Sequence, residues 1–254
     1  MSYILSIINQ KGGSGKTTTS VNLSVALKDL SLKILVIDLD PQASLTFSFG
    51  INNSKNIFNF LENINDEFEK SEDLSIIPSN QDLADFELDL VNMPNREFII
   101  KSFLDQVKTS FDLIVIDCPP SLSLFTINAL TASDGLLIPC VYDVLSVHGL
   151  TQLSNTVNKV KMGLNPDLKI LGVLPVMFDS RKKLTTEIDQ YIRKELKLHV
   201  FDTKIRLDVK LTEAPSFGKS AIEYSPNSKG SVDYKKLATI IYQKINTQFL
   251  ITKP

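Results

Sequence analysis

Apolar and polar positions alternate along the chain in two different rhythms. Short runs of Ile, Val and Leu predict strands, and longer segments with an apolar residue every three or four positions predict helices. The predicted strands are residues 4–8, 34–37, 113–116, 136–138 and 170–176. The predicted helices are residues 17–29, 96–110, 122–132, 146–162, 184–196 and 231–249. The polar stretch 52–80 breaks this pattern, and we expect it to be an insertion at the surface.

The order of these elements predicts the fold class. Strands that are apolar on both sides belong in a parallel sheet whose two faces are covered by helices. Strands and helices alternate, and no linker or repeat divides the chain. We therefore predict one α/β domain over residues 1–254, with a doubly wound, mostly parallel sheet. No apolar run approaches the roughly 20 residues that a membrane helix needs, and no signal peptide is evident. We therefore expect a cytoplasmic protein without a membrane partner.

Charge is nearly balanced overall but uneven along the chain. The formal net charge is −2. The segment 55–89 carries ten acidic residues against two lysines, whereas the segment 181–219 carries ten basic residues against six acidic ones. The basic segment is either a solvated face or a contact surface for a polyanion. The two cysteines, Cys118 and Cys140, have no CxxC spacing, and we expect buried, reduced thiols.

The strongest motif follows the first predicted strand. It is a glycine-rich turn that opens the first helix and comprises Lys11, Gly12, Gly13, Ser14, Gly15, Lys16, Thr17 and Thr18. Glycines let backbone N–H groups turn inward, and the positive end of the following helix adds to them, so the turn predicts a polyphosphate site. Lys16 is expected to meet the β- and γ-phosphates, and the Thr17 hydroxyl to bind Mg²⁺. Gln10 stands where the usual pattern has its first glycine, which predicts a variant loop.

Two later strands end in aspartates. Asp40 follows the second predicted strand, and Asp117 ends a later one directly before Cys118. Because parallel strands bring their carboxyl ends to one edge of the sheet, both carboxylates are expected beside the glycine-rich turn. Asp117 is predicted to hold Mg²⁺ through a water, and Asp40 to orient the attacking water.

Together with the turn, four further stretches resemble the deviant Walker A family of partition ATPases, the ParA/Soj proteins. These stretches are residues 38–43, 117–122, 126–130 and 211–219, and the likeness covers essentially the whole chain. The resemblance implies an ATPase that uses ATP and Mg²⁺ and forms a sandwich homodimer. In that dimer the signature lysine, Lys11, would reach the phosphates of the other subunit, with Lys16 and Asp40 completing the catalytic set. The adenine would be bordered by the segment from Asp208 to Pro215, although similar proteins usually carry Asn at position 208.

The same resemblance implies partners. In the family, the ATP-bound dimer coats double-stranded DNA without sequence preference, and a ParB/Spo0J-like activator bound at a centromere-like site stimulates hydrolysis. Arg181 and Lys210 match positions at which similar proteins contact the phosphate backbone, and both lie in the basic segment 181–219. The implied function is segregation of chromosome or plasmid DNA over the nucleoid.

Another member of the same superfamily is an alternative. A MinD-like membrane-cycling ATPase resembles this chain at the phosphate loop and ends in an amphipathic, lipid-binding helix. The last predicted helix has apolar residues at helical spacing, among them Leu237, Ile241 and Ile245. A helix packed on its own sheet shows the same pattern, and we favour that interpretation.

Two further alternatives have weaker support. An iron–sulfur reductase component would bridge a cluster with two cysteines per subunit, but Cys118 and Cys140 lack the sequence surroundings of that branch. A DNA-binding regulator would carry a helix-turn-helix domain before its first strand, and we expect none here because that strand starts at Tyr3. The two histidines, His148 and His199, have no partner that the sequence identifies.

Overall fold

One sheet forms the centre of the structure. The computed structural model describes residues 2–52, 55–71, 73–181 and 183–251. Within these residues the strands are β1 (Tyr3–Ile7), β2 (Ile34–Asp38), β3 (Glu69–Ser71), β4 (Leu74–Ile77), β5 (Leu113–Asp117), β6 (Gly135–Val141) and β7 (Lys169–Val176). Their order across the seven-stranded sheet is β3-β4-β2-β5-β1-β6-β7. Every neighbouring pair is parallel except β3 and β4, which are antiparallel. The predicted mostly parallel α/β fold is therefore confirmed.

Helices cover both faces of this sheet. They are α1 (Lys16–Lys28), α2 (Ser44–Ser48), α3 (Ile57–Glu62), α4 (Asp82–Leu90), α5 (Ile99–Val107), α6 (Leu124–Ala132), α7 (Val144–Gly163), α8 (Lys183–Lys194), α9 (Lys210–Glu213), α10 (Ala221–Tyr224) and α11 (Lys229–Ile251). Short 3-10 helices follow α5 at Lys108–Ser110 and α9 at Ala214–Phe217. The described residues thus match the predicted helices, except that the segment 96–110 becomes helical only at Ile99.

The strands other than β3 contribute to two separate cores because their side chains alternate between faces. In β2, Ile34 and Val36 face a core that contains α1 and α11, whereas Leu35 and Ile37 face a core that contains α3 to α8. All residues of β1, β2 and β5 are buried. The unbroken apolar runs in the sequence are therefore the consequence of burial on both sides.

The expectation of a surface insertion at 52–80 is wrong for much of that stretch. It contains α3, the edge strand β3 and the buried strand β4, which pairs with β2 inside the sheet. Its apolar residues are few, but Leu74, Ile76 and Ile77 are fully buried. This short apolar run was not recognised as a strand from the sequence, because acidic and amide side chains flank it and Ser75 interrupts it. Sequence reasoning also missed α4, which follows β4 directly.

The last helix packs on the sheet. Leu237, Ile241 and Ile245 of α11 are buried in the same core as α1, and Tyr234 of α11 exchanges a 3.0 Å hydrogen bond with Thr19. This packing is the arrangement that we favoured over a lipid-binding helix. Among the described residues, no helix combines the length and the apolarity that crossing a bilayer requires.

The sheet brings distant acidic residues together. The parallel pairing of β2 with β5 sets Asp38 opposite Asp117 at the carboxyl ends of the two strands, and both side chains are fully buried. The end of β1 lies beside β5, with Ile7 opposite Asp117. The glycine-rich turn that follows β1 therefore starts next to Asp117, one of the two carboxylates that were expected beside it.

We predict that Gly218→Ala destabilises the fold. Gly218 has φ +64°, and an added Cβ would lie 2.9 Å from the Gly50 Cα. The left-handed backbone alone costs about 1–2 kcal/mol for a non-glycine residue. Urea unfolding should therefore show a lower midpoint with an unchanged slope. Gly163→Ala is the control, because an added Cβ there meets nothing within 4 Å and the residue ends a helix. An unchanged midpoint for Gly218→Ala would contradict the close packing of the two glycines.

Candidate functional site

The glycine-rich turn joins β1 to α1 at the carboxyl edge of the sheet. Gly13 and Gly15 adopt positive φ angles of 69° and 79°, which L side chains rarely adopt. Gly12 and Gly13 are exposed, and added Cβ atoms at these positions would meet nothing within 4 Å. The turn therefore leaves open space over its backbone, directly before the first N–H groups of α1. Such a backbone has room for a ligand with phosphate oxygens.

Donors without acceptors line this turn. Ser14 is fully buried, and its Oγ has no hydrogen-bond partner among the described residues; the same is true of the Gln10 Nε2 atom. Lys16 is 7% exposed, and within the described ranges its Nζ reaches a single acceptor, the Lys11 carbonyl oxygen, at 3.4 Å. Buried donors and a buried ammonium without a full set of acceptors are costly unless a ligand satisfies them. A polyphosphate fits this set of groups.

Burial and neighbouring carboxylates shift the pKa of Lys16 in opposite directions. Burial lowers the pKa of Lys16, and the nearby carboxylates of Asp117 and Asp40 oppose that shift. The structure thus brings together three residues that the sequence placed in one site. Thr18, the last residue of the predicted turn, is half-buried in α1, and its carbonyl accepts a 2.8 Å hydrogen bond from Asn22.

Asp117 faces the first turns of α1. Its Oδ2 accepts a hydrogen bond from Thr17 Oγ1 at 2.7 Å, and its Oδ1 accepts one from Ser20 Oγ at 2.7 Å. Burial raises the pKa of Asp117 to about 6, against hydrogen bonds from Ser20 and Thr17 and the positive charge of Lys16. The donor set is oxygen only, which fits Mg²⁺. Thr17 and Asp117 meet as the sequence predicted.

Sequence reasoning missed Ser20. It lies one turn after Thr17, so both hydroxyls face the same side of α1. That spacing was the available signal, but serine in a helix usually bonds its own backbone, and Ser20 also does so, to the Lys16 carbonyl at 3.1 Å. Only the position of β5 beside α1 shows that its partner is Asp117.

Asp38 anchors the segment that carries Asp40. Its carboxylate accepts hydrogen bonds from the Thr46 backbone N–H, the Thr46 hydroxyl and the Asp40 N–H. Burial, together with the neighbouring Asp117 carboxylate, raises the pKa of Asp38 to about 7, and the three donors oppose that rise. Asp40 itself is half-buried, and its Oδ1 accepts a 3.0 Å hydrogen bond from the Gln42 N–H.

Lys11 extends away from Lys16. Its Nζ forms an ion pair with Asp143, and its backbone N–H donates to Asn9 Oδ1 at 3.0 Å. Asp143 is the N-cap of α7 and accepts a 2.9 Å hydrogen bond from the Ser146 N–H. Burial acts to raise the pKa of Asp143, but the bonds from Lys11 and Ser146 hold it below its usual value. Asp143 was not predicted, although an aspartate before an apolar helix is a recognisable N-cap signal.

The two residues expected at the adenine lie in a separate segment. Asp208 accepts hydrogen bonds from the Lys210 N–H at 3.0 Å and the Gly230 N–H at 2.7 Å, so its carboxylate ties α9 to the start of α11. Pro215 lies in the 3-10 helix Ala214–Phe217. Their contact with adenine stays a prediction, and the Asp208 side chain already has a structural role.

The two residues expected to contact DNA are exposed or half-exposed and ion-paired. Arg181 makes two hydrogen bonds to Asp179, at 2.9 and 2.8 Å, and its side chain is 87% exposed. Lys210 pairs with Glu213 at 2.8 Å. Arg193 and Arg206 of the same basic segment pair with Asp189 and Asp233. Lys182 of that segment lies outside the described residues. Carboxylates thus compensate part of the basic charge that the sequence shows.

The two histidines contact residues outside this site, whereas Cys118 directly follows Asp117 in the chain. His148 Nε2 is 3.0 Å from Gln152 on the exposed side of α7, and His199 stands edge-on to Phe201. Cys118 and Cys140 are buried, as predicted, and burial raises the pKa of the Cys140 thiol to about 12. Among the described residues no group of three or more His, Cys, Asp or Glu side chains is placed to hold a metal ion.

The fold and this site define the class of protein. A glycine-rich turn between β1 and α1, with a buried lysine and a carboxylate against the first helical turns, is the arrangement of a P-loop nucleotide-binding protein. A family model described as an AAA domain matches residues 2–170.

Relatives over the whole chain specify the family. The sporulation initiation inhibitor protein Soj of Bacillus subtilis (strain 168) is 42% identical over 246 residues, covering 94% of this chain and 97% of Soj. The chromosome partitioning protein ParA of Myxococcus xanthus (strain DK1622) is 41% identical over 242 residues, covering 92% of this chain and 86% of that protein. This chain belongs to the ParA/Soj family of P-loop ATPases and is an ATP-hydrolysing enzyme.

A solved structure shares the fold. It is cobyrinic acid a,c-diamide synthase from Mycobacterium smegmatis with a bound ATP analog and magnesium. That structure has a TM-score of 0.83 and 31% sequence identity, and the match covers 96% of this chain and 95% of that one.

The buried carboxylates predict a pH dependence of stability. The pKa values of Asp38 and Asp117, about 7 and about 6, lie above the ordinary value of 3.8, so the folded, ligand-free protein holds these protons more tightly than the unfolded chain. The free energy of unfolding should fall as pH rises from about 4 to about 7, by up to about 1.4 kcal/mol per pH unit for each proton.

Asp117→Asn isolates one of these contributions, because the amide keeps hydrogen-bonding groups toward Thr17 and Ser20. Urea unfolding without nucleotide or Mg²⁺ should show a shallower pH dependence between pH 4 and 6 than in the unmodified protein. The exposed Asp167→Asn is the matched control. Parallel pH curves for Asp117→Asn and the unmodified protein would contradict the prediction.

Proposed function

We propose that this chain is a partition ATPase that binds MgATP on residues 11–18, joins a second copy around the nucleotides, and holds DNA non-specifically until hydrolysis releases it. The observation that carries the proposal is the different placement of two lysines. Lys16 is buried in the turn, whereas the Lys11 side chain is 31% exposed and pairs with Asp143 at the rim. A second, partly exposed lysine beside the turn supports a role for Lys11 toward a phosphate held by another subunit.

The residues of the turn account for nucleotide binding. Ser14 and Lys16 supply buried donors to phosphate oxygens, and the glycines leave their backbone accessible. Thr17 and Asp117 would hold Mg²⁺, which supplies charge neutralisation at the transferred phosphoryl group. The same two side chains bond each other at 2.7 Å, which supports a shared role at the metal.

Asp40 is the proposed residue for hydrolysis. It is half-buried and lies close enough to Lys16 and Asp117 to raise the pKa of both. Its carboxylate accepts a hydrogen bond from the backbone of its own segment, at Gln42. A carboxylate in this position can accept a hydrogen bond from a water and orient it toward the γ-phosphate.

Lys11 is the proposed link between subunits. Its ion pair with Asp143 is partly exposed on both sides, with side chains 31% and 35% accessible. Partly exposed pairs contribute only about 0–1 kcal/mol, so a phosphate of the second subunit could replace Asp143 at little cost. Dimerisation would then depend on ATP.

DNA binding is the proposed output. Arg181 and Lys210 belong to different segments of the basic stretch, and their charges are shared with Asp179 and Glu213. A single subunit with net charge −2 is a weak polyanion binder, and joining two copies doubles the basic surface. We place the protein in the cytoplasm on nucleoid DNA, with a ParB/Spo0J-like activator and chromosome or plasmid DNA as cargo.

Dimer formation is tested by measuring the molar mass of the protein with light scattering, once in the presence of ADP and once in the presence of ATP. We expect a monomer with ADP and a dimer with ATP, and the Asp40→Ala variant should accumulate a long-lived, DNA-bound dimer with ATP. Lys11→Ala is the comparison variant, because it leaves Ser14 and Lys16 in place. It should bind a fluorescent ATP analogue and stay monomeric. A nucleotide-loaded, unmodified protein that remained monomeric would refute the proposal.

DNA binding is tested by charge reversal. The Arg181→Glu/Lys210→Glu variant should lose ATP-dependent binding to random-sequence DNA at moderate salt, with a smaller dependence of log affinity on log salt, by roughly 0.9 for each lost phosphate contact. Lys33→Glu/Lys236→Glu makes the same change in net charge at two other exposed lysines and should bind normally. Equal affinities for the two double variants would exclude a specific role for Arg181 and Lys210.

A further inference from the structure

We propose that Ser79 and Thr46 are positioning residues for hydrolysis, because they form with Asp38 a buried hydrogen-bond bridge that fixes the backbone of Asp40. The inference rests on the proposed role of Asp40. Two hydroxyl groups would then hold Asp40 in place, and one of them, that of Ser79, is more than thirty residues away in sequence.

Both backbone groups of Asp40 are held. The Asp40 N–H donates to Asp38 Oδ1 at 3.1 Å, and the Asp40 carbonyl oxygen accepts a hydrogen bond from Ser79 Oγ at 2.8 Å. The two holders are almost completely inaccessible, with Asp38 0% and Ser79 1% exposed. Asp40 is therefore the more accessible residue in each contact, and its partners Asp38 and Ser79 belong to the protein interior.

The two holders are joined through Thr46. Its hydroxyl donates to Asp38 Oδ2 at 2.7 Å and accepts a hydrogen bond from the Ser79 N–H at 2.8 Å. The Thr46 N–H also donates to Asp38 Oδ2, at 2.9 Å. A hydroxyl is required at this position because one atom must donate and accept at the same time. Thr46 is 4% exposed, so water is a poor substitute.

The sheet explains why these residues meet. Asp38 ends β2, Ser79 follows β4 by two residues, and β2 and β4 are neighbours. Thr46 lies in α2, which begins after Ala43, a non-glycine residue with φ +52°. The chain therefore makes a strained turn between Asp38 and α2, and the bridge from β4 fixes the turn at the residue that faces Lys16 and Asp117.

Placement of this kind affects rate more than affinity. The bridge touches neither Lys16 nor Ser14, so its loss leaves the nucleotide-binding groups intact. A catalytic group displaced by about 1 Å costs on the order of 100-fold in rate. We therefore expect the loss of one hydroxyl to lower kcat and leave KM for ATP nearly unchanged.

The test measures single-turnover and steady-state ATP hydrolysis with Mg²⁺. Ser79→Ala should lower kcat by about 10- to 100-fold and change KM for ATP by less than about threefold. Ser75→Ala is the matched control, since Ser75 is a 6% exposed serine of β4 that bonds Lys70 and not Asp40; it should keep its rate. At Thr46, the hydroxyl-free Thr46→Val should behave like Ser79→Ala, and Thr46→Ser should retain most of the activity.

A double mutant separates positioning from general damage. If Ser79 acts through Asp40, the Ser79→Ala/Asp40→Ala variant should be no slower than Asp40→Ala alone. A multiplicative loss in the double variant would overturn the proposal. So would an unchanged kcat for Ser79→Ala, and so would equal rates for Thr46→Val and Thr46→Ser. These outcomes leave the role of Asp40 standing, whereas a fully active Asp40→Ala variant would refute that role and the inference together.

Discussion

Two carboxylates buried side by side, Asp38 and Asp117, constrain the whole carboxyl edge of the sheet. The pairing of β2 with β5 places them opposite each other. In the part of the chain that the structure describes, neither carboxylate forms an ion pair with an arginine or a lysine. Buried charge is costly unless hydrogen bonds or an ion compensate it. Hydroxyls and backbone N–H groups therefore gather around them. Those of α1 approach Asp117, and those of the segment 40–46 approach Asp38. The need to satisfy the two acids thus shapes both the contact of α1 with Asp117 and the segment that carries Asp40.

The same edge holds two lysines in different states. Lys16 is buried with few partners of its own, and Lys11 rests against Asp143 in a pair that water reaches. The first arrangement favours a bound polyanion, because an incompletely paired buried ammonium is costly. The second lets Lys11 take another anionic partner in place of Asp143, because a partly exposed ion pair is weak. Asp143 also caps α7, where it accepts a hydrogen bond from the Ser146 N–H.

Charge along the sequence and charge on the surface differ in this protein. The basic excess of 181–219 is evident from the residues, but four of its side chains share their charge with nearby carboxylates: Arg181, Lys210, Arg193 and Arg206. Phosphate can compete for such residues, because surface ion pairs are weak and screened by salt. The proposed DNA binding would then be reversible, with an affinity that depends steeply on salt.

The sequence by itself determined the features that arise from local patterns. Two-sided apolar runs identified five of the seven strands, the spacing of glycines and lysines identified the phosphate turn, and Asp40 and Asp117 were recognised as residues at strand ends. Strand β4 was not predicted because its run of apolar residues is short and polar residues flank it. Only the tertiary structure decided that Asp117 bonds Ser20, that Asp38 bonds Thr46, that Lys11 pairs with Asp143 and that Ser79 bonds the Asp40 carbonyl oxygen. Ser20 and Asp117 lie 97 positions apart, and Lys11 and Asp143 lie 132 positions apart, so these contacts leave no periodic signal along the chain and are specified by the packing of the sheet.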